Sequence, residues 1–246
     1  RMWPCSDGRQ TVEHVAIHVK PHVDLHRHAD AFGNQVAWFQ VEEPHDRLLI
    51  EAEAVVSVAP RIDYSVGVAW AMLTDSALRS DLAEYLAPSE LVQWGSALDA
   101  FVAELAEESA DDVADWLRAM EQGVNTKIRY LPGITTVETT VDRVLEALCG
   151  VCQDMAHLFL ALCRRRGVPA RYISGWLFEP GRNAPGESHA WCEAYVPGVG
   201  WQQFDPTHPN PDFDRYIRIG IGRDYIDVPP IRGSYVGAPT DRMIVT

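Results

Sequence analysis

The alternation of hydrophobic and polar positions marks the first part of the chain as β structure. Residues 14–20 alternate between β-branched and polar or small side chains, and residues 30–34 (Asp-Ala-Phe-Gly-Asn) form a turn signal. An alternation with a period of two is typical of half-buried strands. Further strands are expected at 36–39 and within 48–58. The pattern therefore predicts an N-terminal β region over residues 1–60.

Between residues 74 and 126 the apolar spacing becomes helical, with hydrophobic residues three and four positions apart. Asp75 or Ser76 is placed to cap a first helix, and Ser89 is placed to cap a run that starts one residue later. Two apolar faces follow, formed by Phe101, Val102 and Leu105 and then by Val113, Trp116, Leu117 and Met120. We expect this helical segment to belong to a second domain that spans residues 61–246.

The rest of the chain predicts two more helices and then an antiparallel sheet. A capped short helix is expected at 139–145, and a longer helix runs from Cys152 to the stop signal at Gly167. Strands are expected at 171–178, 189–196, 201–205, 216–219 and 243–245. The turn at 197–200 joins two of these strands into a hairpin.

Cys152 lies where a loop meets this longer helix. Met155, Leu158, Phe159 and Leu162 follow it at helical spacing and give the helix an apolar face. The N-terminus of a helix offers unpaired N–H groups and the positive end of the helix dipole, and both favour a thiolate. The sequence thus places a candidate nucleophile in a setting that activates it.

A cysteine nucleophile needs a histidine to take its proton and an acceptor to orient that histidine. His189 begins a predicted strand, and Asp205 ends the next strand just before Pro206. The two residues lie at unequal distances from the turn between their strands, so a register offset or β-bulge is expected to bring them together. Cys152, His189 and Asp205 are therefore predicted to form a thiol–imidazole–carboxylate triad.

Composition narrows the classes of partner and the compartment. The chain has 246 residues, 47% of them hydrophobic, and a formal net charge of −14. This charge disfavours nucleic acid and anionic membranes as partners. Five cysteines are too few and too irregular for a disulfide scaffold, which favours a reducing cytoplasm. No signal peptide is visible, although the chain opens on Arg1-Met2-Trp3-Pro4 as if in mid-structure.

Four stretches together resemble the bacterial transglutaminase-like superfamily, whose members are often described as candidate cysteine proteases. The stretches are 150–157 (GVCQDMAH), 167–177 (GVPARYISGWL), 188–195 (SHAWCEAY) and 200–207 (GWQQFDPT). The resemblance continues through 222–233, and residues 30–34 and 43–45 resemble the β region that precedes the core in bacterial members. It implies an α+β, papain-like core with an antiparallel sheet, preceded by an N-terminal β region.

By the same resemblance, Cys152 is the nucleophile, His189 is the general base and acid, and Asp205 orients the histidine. The implied activity is acyl transfer from a peptide or protein carboxamide through a thioester, with no cofactor and no metal. Hydrolysis, as by a protease or amidase, and transamidation both remain open. A non-catalytic scaffold of this family that binds a peptide or partner is the alternative of a different class.

Several alternatives stay open for single residues. Cys149 and Cys152 form a C-x-x-C pair, but no β-α-β pattern precedes it, which disfavours a redox role. The histidines at 14, 18, 22 and 26 are spaced four apart, yet Pro21 and the strand pattern favour a solvated strand over a metal site. The acids at 104, 107, 108, 111, 112 and 115 are expected to form a solvated face.

Residues near the predicted triad carry a second set of alternatives. His157 is expected to be a structural histidine, and Cys163 and Cys192 are expected to be core residues. The segment 223–225 could either line the cleft or tie the final strands together. Gln153 and Trp191 are candidates for the second donor to an oxyanion, and the oligomeric state stays open.

Overall fold

Residues 1–60, 67–105, 110–178 and 187–237 are described by a computed structural model, which combines helices with antiparallel sheets. The N-terminal strands are β1 (Gln10–Lys20), β2 (His26–Ala29), β3 (Gln35–Trp38) and β4 (Leu49–Val58). Strand β1 pairs antiparallel with β4, and β2 pairs antiparallel with β3. The predicted N-terminal strands are confirmed, and the division of the chain at residue 60 stays a prediction.

Five α-helices follow in the described part of the chain. They are α1 (Ser76–Asp81), α2 (Ser96–Glu104), α3 (Val113–Lys127), α4 (Val141–Ala147) and α5 (Cys152–Arg166). Short 3-10 helices lie at Trp70–Thr74, Ala83–Tyr85, Phe213–Arg215 and Tyr225–Asp227. Among the helices of these residues, none combines the length and the apolar composition that a membrane span needs.

One predicted cap is confirmed and two do not form. Helix α4 is present from Val141, but no side-chain hydrogen bond of its N-cap residue Thr140 caps it among the described residues. The Asp75 side chain accepts a hydrogen bond from the Leu78 N–H and caps α1. The helix expected directly after Ser89 does not form, because the polar groups that would begin it are hydrogen-bonded to distant residues. The Ser89 hydroxyl accepts from the Arg164 guanidinium, and the Leu91 N–H donates to Asp224. Helix α2 begins only at Ser96, after Gly95.

The C-terminal half is built on a four-stranded antiparallel sheet. Its strands are β7 (Ala170–Leu177), β8 (Glu187–Val196), β9 (Gly200–Phe204) and β10 (Tyr216–Gly222), and their spatial order is β10-β7-β8-β9. Two-residue strands β5 (Arg129–Tyr130) and β6 (Cys149–Gly150) pair in parallel just before α5. The strand expected at 243–245 lies outside the described residues.

Helix α5 is the centre of the core and is buried on nearly every side from Gln153 to Arg164. One side packs on the small apolar face of β8, formed by Ala190, Cys192, Ala194 and Val196, and other sides meet α2, α3 and α4. A helix that is buried all round is held rigidly by its neighbours. The residue at its N-terminus is therefore fixed relative to the sheet.

The N-terminal region is joined to the outer edge of β10 by two buried carboxamide side chains. The Gln10 amide donates to the Arg218 carbonyl at 2.8 Å and accepts from the Arg218 N–H at 2.9 Å. The Asn34 amide makes the same pair of bonds with Ile221, both at 2.7 Å. Together the two side chains take the place that a neighbouring strand would fill and satisfy the backbone groups of the edge.

Candidate active site

Cys152 is the first residue of α5 and is partly exposed. The buried carboxylate of Asp154 holds the backbone of the residue that precedes Cys152, and so fixes the position of the cysteine. One oxygen of Asp154 accepts from the Val151 N–H and from the Thr135 hydroxyl, both at 2.7 Å. Burial raises the pKa of Asp154 above its ordinary value, although these two hydrogen bonds oppose the shift. The loop at 131–140 is thereby tied to the first turn of α5.

Gly150 makes this arrangement possible. A Cβ at this position would lie 2.7 Å from the Asp154 Cβ and 2.8 Å from its Oδ2, which is closer than such atoms approach. A side chain there would push Asp154 away from the backbone that it holds. The glycine in the predicted motif is therefore explained by the space that Asp154 occupies.

His189 and Asp205 meet across the β8–β9 hairpin, with His189 Nε2 2.7 Å from Asp205 Oδ2. The expectation of a register offset or β-bulge between these strands is wrong. The pairs run regularly from Cys192–Phe204 to Val196–Gly200, and Asp205 follows directly after the last paired residue. Asp205 reaches His189 diagonally, because neighbours two positions apart on adjacent strands lie within reach of long side chains.

The Asp205 carboxylate is fully buried and receives four hydrogen bonds. Its Oδ2 accepts from His189, from His208 Nδ1 at 2.7 Å and from the Tyr216 hydroxyl at 2.6 Å. Its Oδ1 accepts from the Thr207 N–H at 2.9 Å. Burial alone would raise the pKa of Asp205, but the bonds from His189 and His208 outweigh it and hold that pKa well below the ordinary range. The carboxylate is therefore ionised at all physiological pH values.

The surroundings of the His189 imidazole favour its protonated form. Burial opposes the charge, but the hydrogen bonds with Asp205 and Cys152 and the charges of both groups raise the pKa of His189 to about 9. Because Nε2 is bound to Asp205, Nδ1 is the ring nitrogen left for the Cys152 thiol. The structure thus brings Cys152, His189 and Asp205 together in the predicted order, and their catalytic roles remain predictions.

The ring of His189 rests against the buried indole of Trp191, with the ring centroids 6.1 Å apart. Tyr216 packs edge-on against both rings. Gly175 is the residue paired with His189 on β7, and a Cβ there would lie 2.3 Å from the indole. The absence of a side chain at 175 gives the indole its place beside the histidine.

The structure assigns structural contacts to several other residues that the sequence singled out. His157 is fully buried and accepts a hydrogen bond from the Tyr225 N–H, and Cys163 and Cys192 are core residues, as expected. Asp224 accepts from the Leu91 and Ile226 N–H groups, so the segment 223–225 ties the final strand to the rest of the domain.

Neither candidate for the second oxyanion donor gains direct support. The Gln153 side chain donates to the Val137 carbonyl at 3.1 Å. The Trp191 N–H is buried and has no hydrogen-bond partner among the described residues, and it lies inside an apolar cluster with Ile173 and Phe213.

The C-x-x-C pair has a setting that differs from the expected one. Strands β5 and β6 pair in parallel on either side of α4, so a small β-α-β connection does precede Cys152. Its strands have only two residues each, and all five cysteines of the chain are free. Cys149 is buried and Cys152 is partly exposed, which leaves Cys152 as the accessible thiol of the pair.

Of the acids expected on a solvated face, Glu104, Asp111 and Asp115 are exposed and Asp112 caps α3, while residues 107 and 108 lie outside the described residues. Of the four evenly spaced N-terminal histidines, three lie on strands and His22 lies between strands. His14 and His18 are exposed on β1, and His26 and His28 are exposed on β2. Among the described residues, the side chains that could hold a metal ion are His189, Asp205 and His208, whose ligand atoms lie within 4.8 Å of one another. Both imidazoles bond directly to the carboxylate, so the same atoms are already paired as a hydrogen-bonded array.

Sequence reasoning missed the residues that surround Asp205. His208 follows it by three positions at a strand end, where a turn returns a side chain, and this spacing is a usable signal. Tyr216 lies in β10, and Glu121 and Asn125 lie on α3. Glu121 accepts from the Asp205 N–H at 2.6 Å, and Asn125 donates to the Pro206 and Thr207 carbonyls. These partners come from distant segments, and no local pattern marks them.

Comparisons with known proteins agree with this geometry. The model of the transglutaminase-like superfamily matches residues 99–206, and the model of the bacterial transglutaminase-like N-terminal region matches residues 1–57. An uncharacterized protein of Mycobacterium leprae is 32% identical over 242 residues, which cover 96% of this chain and 85% of the relative. An uncharacterized protein of Mycobacterium tuberculosis is 36% identical over 226 residues, which cover 83% of this chain and 70% of the relative. The chain belongs to the transglutaminase-like superfamily and carries the N-terminal region of its bacterial members.

A solved structure shows the same fold. The neighbour is described as "a Putative Cysteine Protease from Cytophaga hutchinsonii". This chain superposes on it with a TM-score of 0.76 at 23% sequence identity. The match covers 93% of this chain and 76% of that protein. The predicted α+β transglutaminase core with an antiparallel sheet and a preceding β region is therefore confirmed.

Proposed function

We propose that the protein is a cysteine-dependent enzyme that transfers the acyl group of a peptide-type carboxamide through a thioester on Cys152. The observation that carries this proposal is the bonded pair of His189 and the buried Asp205 beside a partly exposed cysteine at a helix N-terminus. A scaffold that only bound peptides would need neither a protonated imidazole nor an ionised carboxylate behind it.

The first chemical step uses a thiolate of Cys152 and the imidazolium of His189. The Cys152 thiolate attacks the carboxamide carbon, and the carbonyl oxygen becomes an oxyanion. The imidazolium of His189, supported by Asp205, donates its proton to the leaving amine as the C–N bond breaks. This leaves a thioester and a neutral imidazole.

The N-terminus of α5 is the natural place for the oxyanion. The residue before the helix is Val151, whose apolar side chain cannot accept hydrogen bonds from the first helical N–H groups. Those groups stay available to stabilise negative charge next to the sulfur. The Cys152 N–H is one such donor.

The second step regenerates the thiol. Neutral His189 takes a proton from water, and the resulting attack on the thioester gives a carboxylic acid. When an amine attacks instead, the product is a new amide and the reaction is a transamidation. The acyl donor that we propose is a peptide or protein, and the charge of −14 argues against nucleic acid and anionic membranes as partners. Five free cysteines support a cytoplasmic location.

The activated state of the cysteine is tested by its reactivity. Iodoacetamide should alkylate Cys152 near neutral pH much faster than it alkylates the other cysteines, as followed by peptide mass spectrometry. In His189→Ala this advantage should disappear, because no imidazolium then stabilises the thiolate. Slow and unselective alkylation of the wild-type chain would instead support the peptide-binding scaffold.

The reaction itself is tested by offering glutamine-containing and other peptide amides with and without a primary amine. Mass spectrometry should show loss of ammonia or of a leaving amine, with water or the added amine incorporated. Cys152→Ala is the matched control and should show neither product. If the intact chain and Cys152→Ala behave alike for every donor, the proposal is wrong.

A further inference from the structure

A second imidazole lies on the carboxylate that supports His189. His208 Nδ1 is 2.7 Å from Asp205 Oδ2, the same oxygen that His189 Nε2 contacts. The two rings are 5.0 Å apart, centroid to centroid. The His208 side chain is 42% exposed, while that of Asp205 is fully buried. Nothing in the two-step mechanism above makes use of this residue.

The backbone holds His208 in place. The Thr207 N–H donates to Asp205 Oδ1, and the His208 N–H donates to the Asp205 carbonyl at 3.3 Å. This is a tight turn that begins at the aspartate, and it directs the histidine ring back over its carboxylate. Asn125 of α3 fixes the turn from outside by donating to the carbonyls of residues 206 and 207.

Four hydrogen bonds on one carboxylate leave it a single orientation. His208 and the Tyr216 hydroxyl approach Oδ2 together with His189, and the Thr207 N–H holds Oδ1. The carboxylate can rotate about its Cβ–Cγ bond only by giving up these partners. His208, Tyr216 and Thr207 take no part in the proposed reaction, but their hydrogen bonds determine how well the Asp205 carboxylate is aligned with His189.

From this geometry we infer that His208 is a positioning residue, which fixes the Asp205 carboxylate toward His189 by donating a hydrogen bond through Nδ1. The inference rests on the proposed function. It concerns the donor atom alone, so any side chain that places an N–H at this point should serve.

Asparagine is the matched replacement. Its Nδ2 is bonded to Cγ, as is Nδ1 of histidine, so His208→Asn keeps a donor at nearly the same place and removes the ionisable ring. His208→Leu keeps a side chain of similar reach without a donor. The charged or titratable groups that face this point are Asp205, His189, Tyr216 and Glu121, and both variants leave them in place.

The experiment measures the alkylation of Cys152 by iodoacetate across pH. Iodoacetate is an anion, so its reaction is fastest while His189 is protonated, and the rate falls as that proton is lost. In His208→Leu we expect a rate about tenfold lower near neutral pH, within the 10–100-fold cost of losing such supporting partners elsewhere. The alkaline fall of the rate should move to lower pH by about one unit, because a misplaced carboxylate supports the imidazolium less. His208→Asn should stay within about twofold of the wild-type rate and keep its pH profile.

Two results would overturn the inference. One is a profile in His208→Leu that matches the wild type or moves to higher pH, and the other is a loss in His208→Asn as large as in His208→Leu. An NMR titration of His189 in the Cys152→Ala background gives the same comparison without any reactivity. If His208→Leu does not fold, by circular dichroism, His208→Ala takes its place.

Failure of the proposed function would look different. It would show as slow alkylation of the wild-type chain itself, equal to that of His189→Ala. The difference between the Asn and Leu variants in the NMR titration would still decide the role of His208.

Discussion

At position 175 a glycine lies against the indole that supports His189. A Cβ there would be 2.3 Å from the Trp191 ring and 2.3 Å from the Ile217 carbonyl oxygen. One contact is with backbone and the other is with a fully buried ring, so neither can move aside at low cost. This residue is therefore where a single methyl group should do the most damage to the candidate site.

We expect Gly175→Ala to lower the free energy of unfolding by about 2 kcal/mol, in the range for overpacked cores. Alkylation of Cys152 should slow as well, because the displaced indole shifts the His189 ring. Urea denaturation gives the first quantity, and Gly8→Ala is the control, since no atom lies within 4 Å of a Cβ at that position. A Gly175→Ala chain as stable as Gly8→Ala would show that the sheet absorbs the methyl group.

At the scale of single residues, side-chain chemistry and local sequence were sufficient to predict Cys152, His189 and Asp205 as the candidate triad. A thiol at a helix start, a histidine on a strand and an acid before a proline were each predictable from local signals, and the structure brings them together. His208, Tyr216 and Asn125 were not predicted. Their contacts with Asp205 and its turn depend on which segments the fold brings together, and a hydroxyl or amide in a strand or helix gives no sign of its partner.

At the scale of elements, helix α5 carries Cys152 at its N-terminus and has a fully buried interior. His157 lies in that interior and its Nε2 accepts the Tyr225 N–H at 3.2 Å. Burial lowers the pKa of His157 to about 4, although the charge of Asp224 partly opposes this. The unfolded chain would protonate this histidine at its ordinary pKa of about 6.5. The native state therefore binds fewer protons than the unfolded state between these two values, and its stability falls as pH drops from about 6.5 to about 4.

We expect His157→Gln to remove this acid sensitivity, because a glutamine oxygen can accept the Tyr225 N–H without titrating. The part of the stability loss that belongs to His157 is on the order of 3 kcal/mol between pH 6.5 and 4. Urea denaturation at both pH values measures it, with the exposed His14→Gln as control. An equal loss of stability in His157→Gln and wild type would assign the effect to other groups.

The elements themselves were predicted unevenly. Strong periodicity located α5 and the strands of the main sheet to within about three residues, the largest difference being at the end of β10. The helix expected after Ser89 failed, because the Arg164 guanidinium and the Asp224 carboxylate bind its first residues. Both partners lie more than 70 positions along the chain from Ser89, where propensity has no information about them.

At the scale of the whole molecule, Gln10 and Asn34 connect the N-terminal strands to the four-stranded sheet that carries His189. Each side chain satisfies one N–H and one carbonyl on the outer edge of β10. Because both carboxamides are buried, loss of either leaves backbone groups without partners in a place that water enters poorly.

We expect the double variant Gln10→Ala and Asn34→Ala to lower the free energy of unfolding by about 4 kcal/mol, roughly half from each site. The Arg218 and Ile221 amides should lose protection in hydrogen exchange, while amides of α5 keep theirs. Gln40→Ala, at an exposed position, is the control. Unchanged protection at residues 218 and 221 would mean that other contacts hold the two parts of the chain together.

The resemblance of four motifs to a known family implied the α+β class. The sequence by itself determined most of the order of strands and helices and the three side chains suited to thiol chemistry. These follow from local periodicity and from the chemistry of each residue. Only the tertiary structure decided the diagonal contact between His189 and Asp205, the three supporting donors on that carboxylate and the docking of Gln10 and Asn34. The physical reason is that hydrogen bonds between distant segments form wherever packing leaves buried polar groups to be satisfied, and packing depends on the whole chain at once.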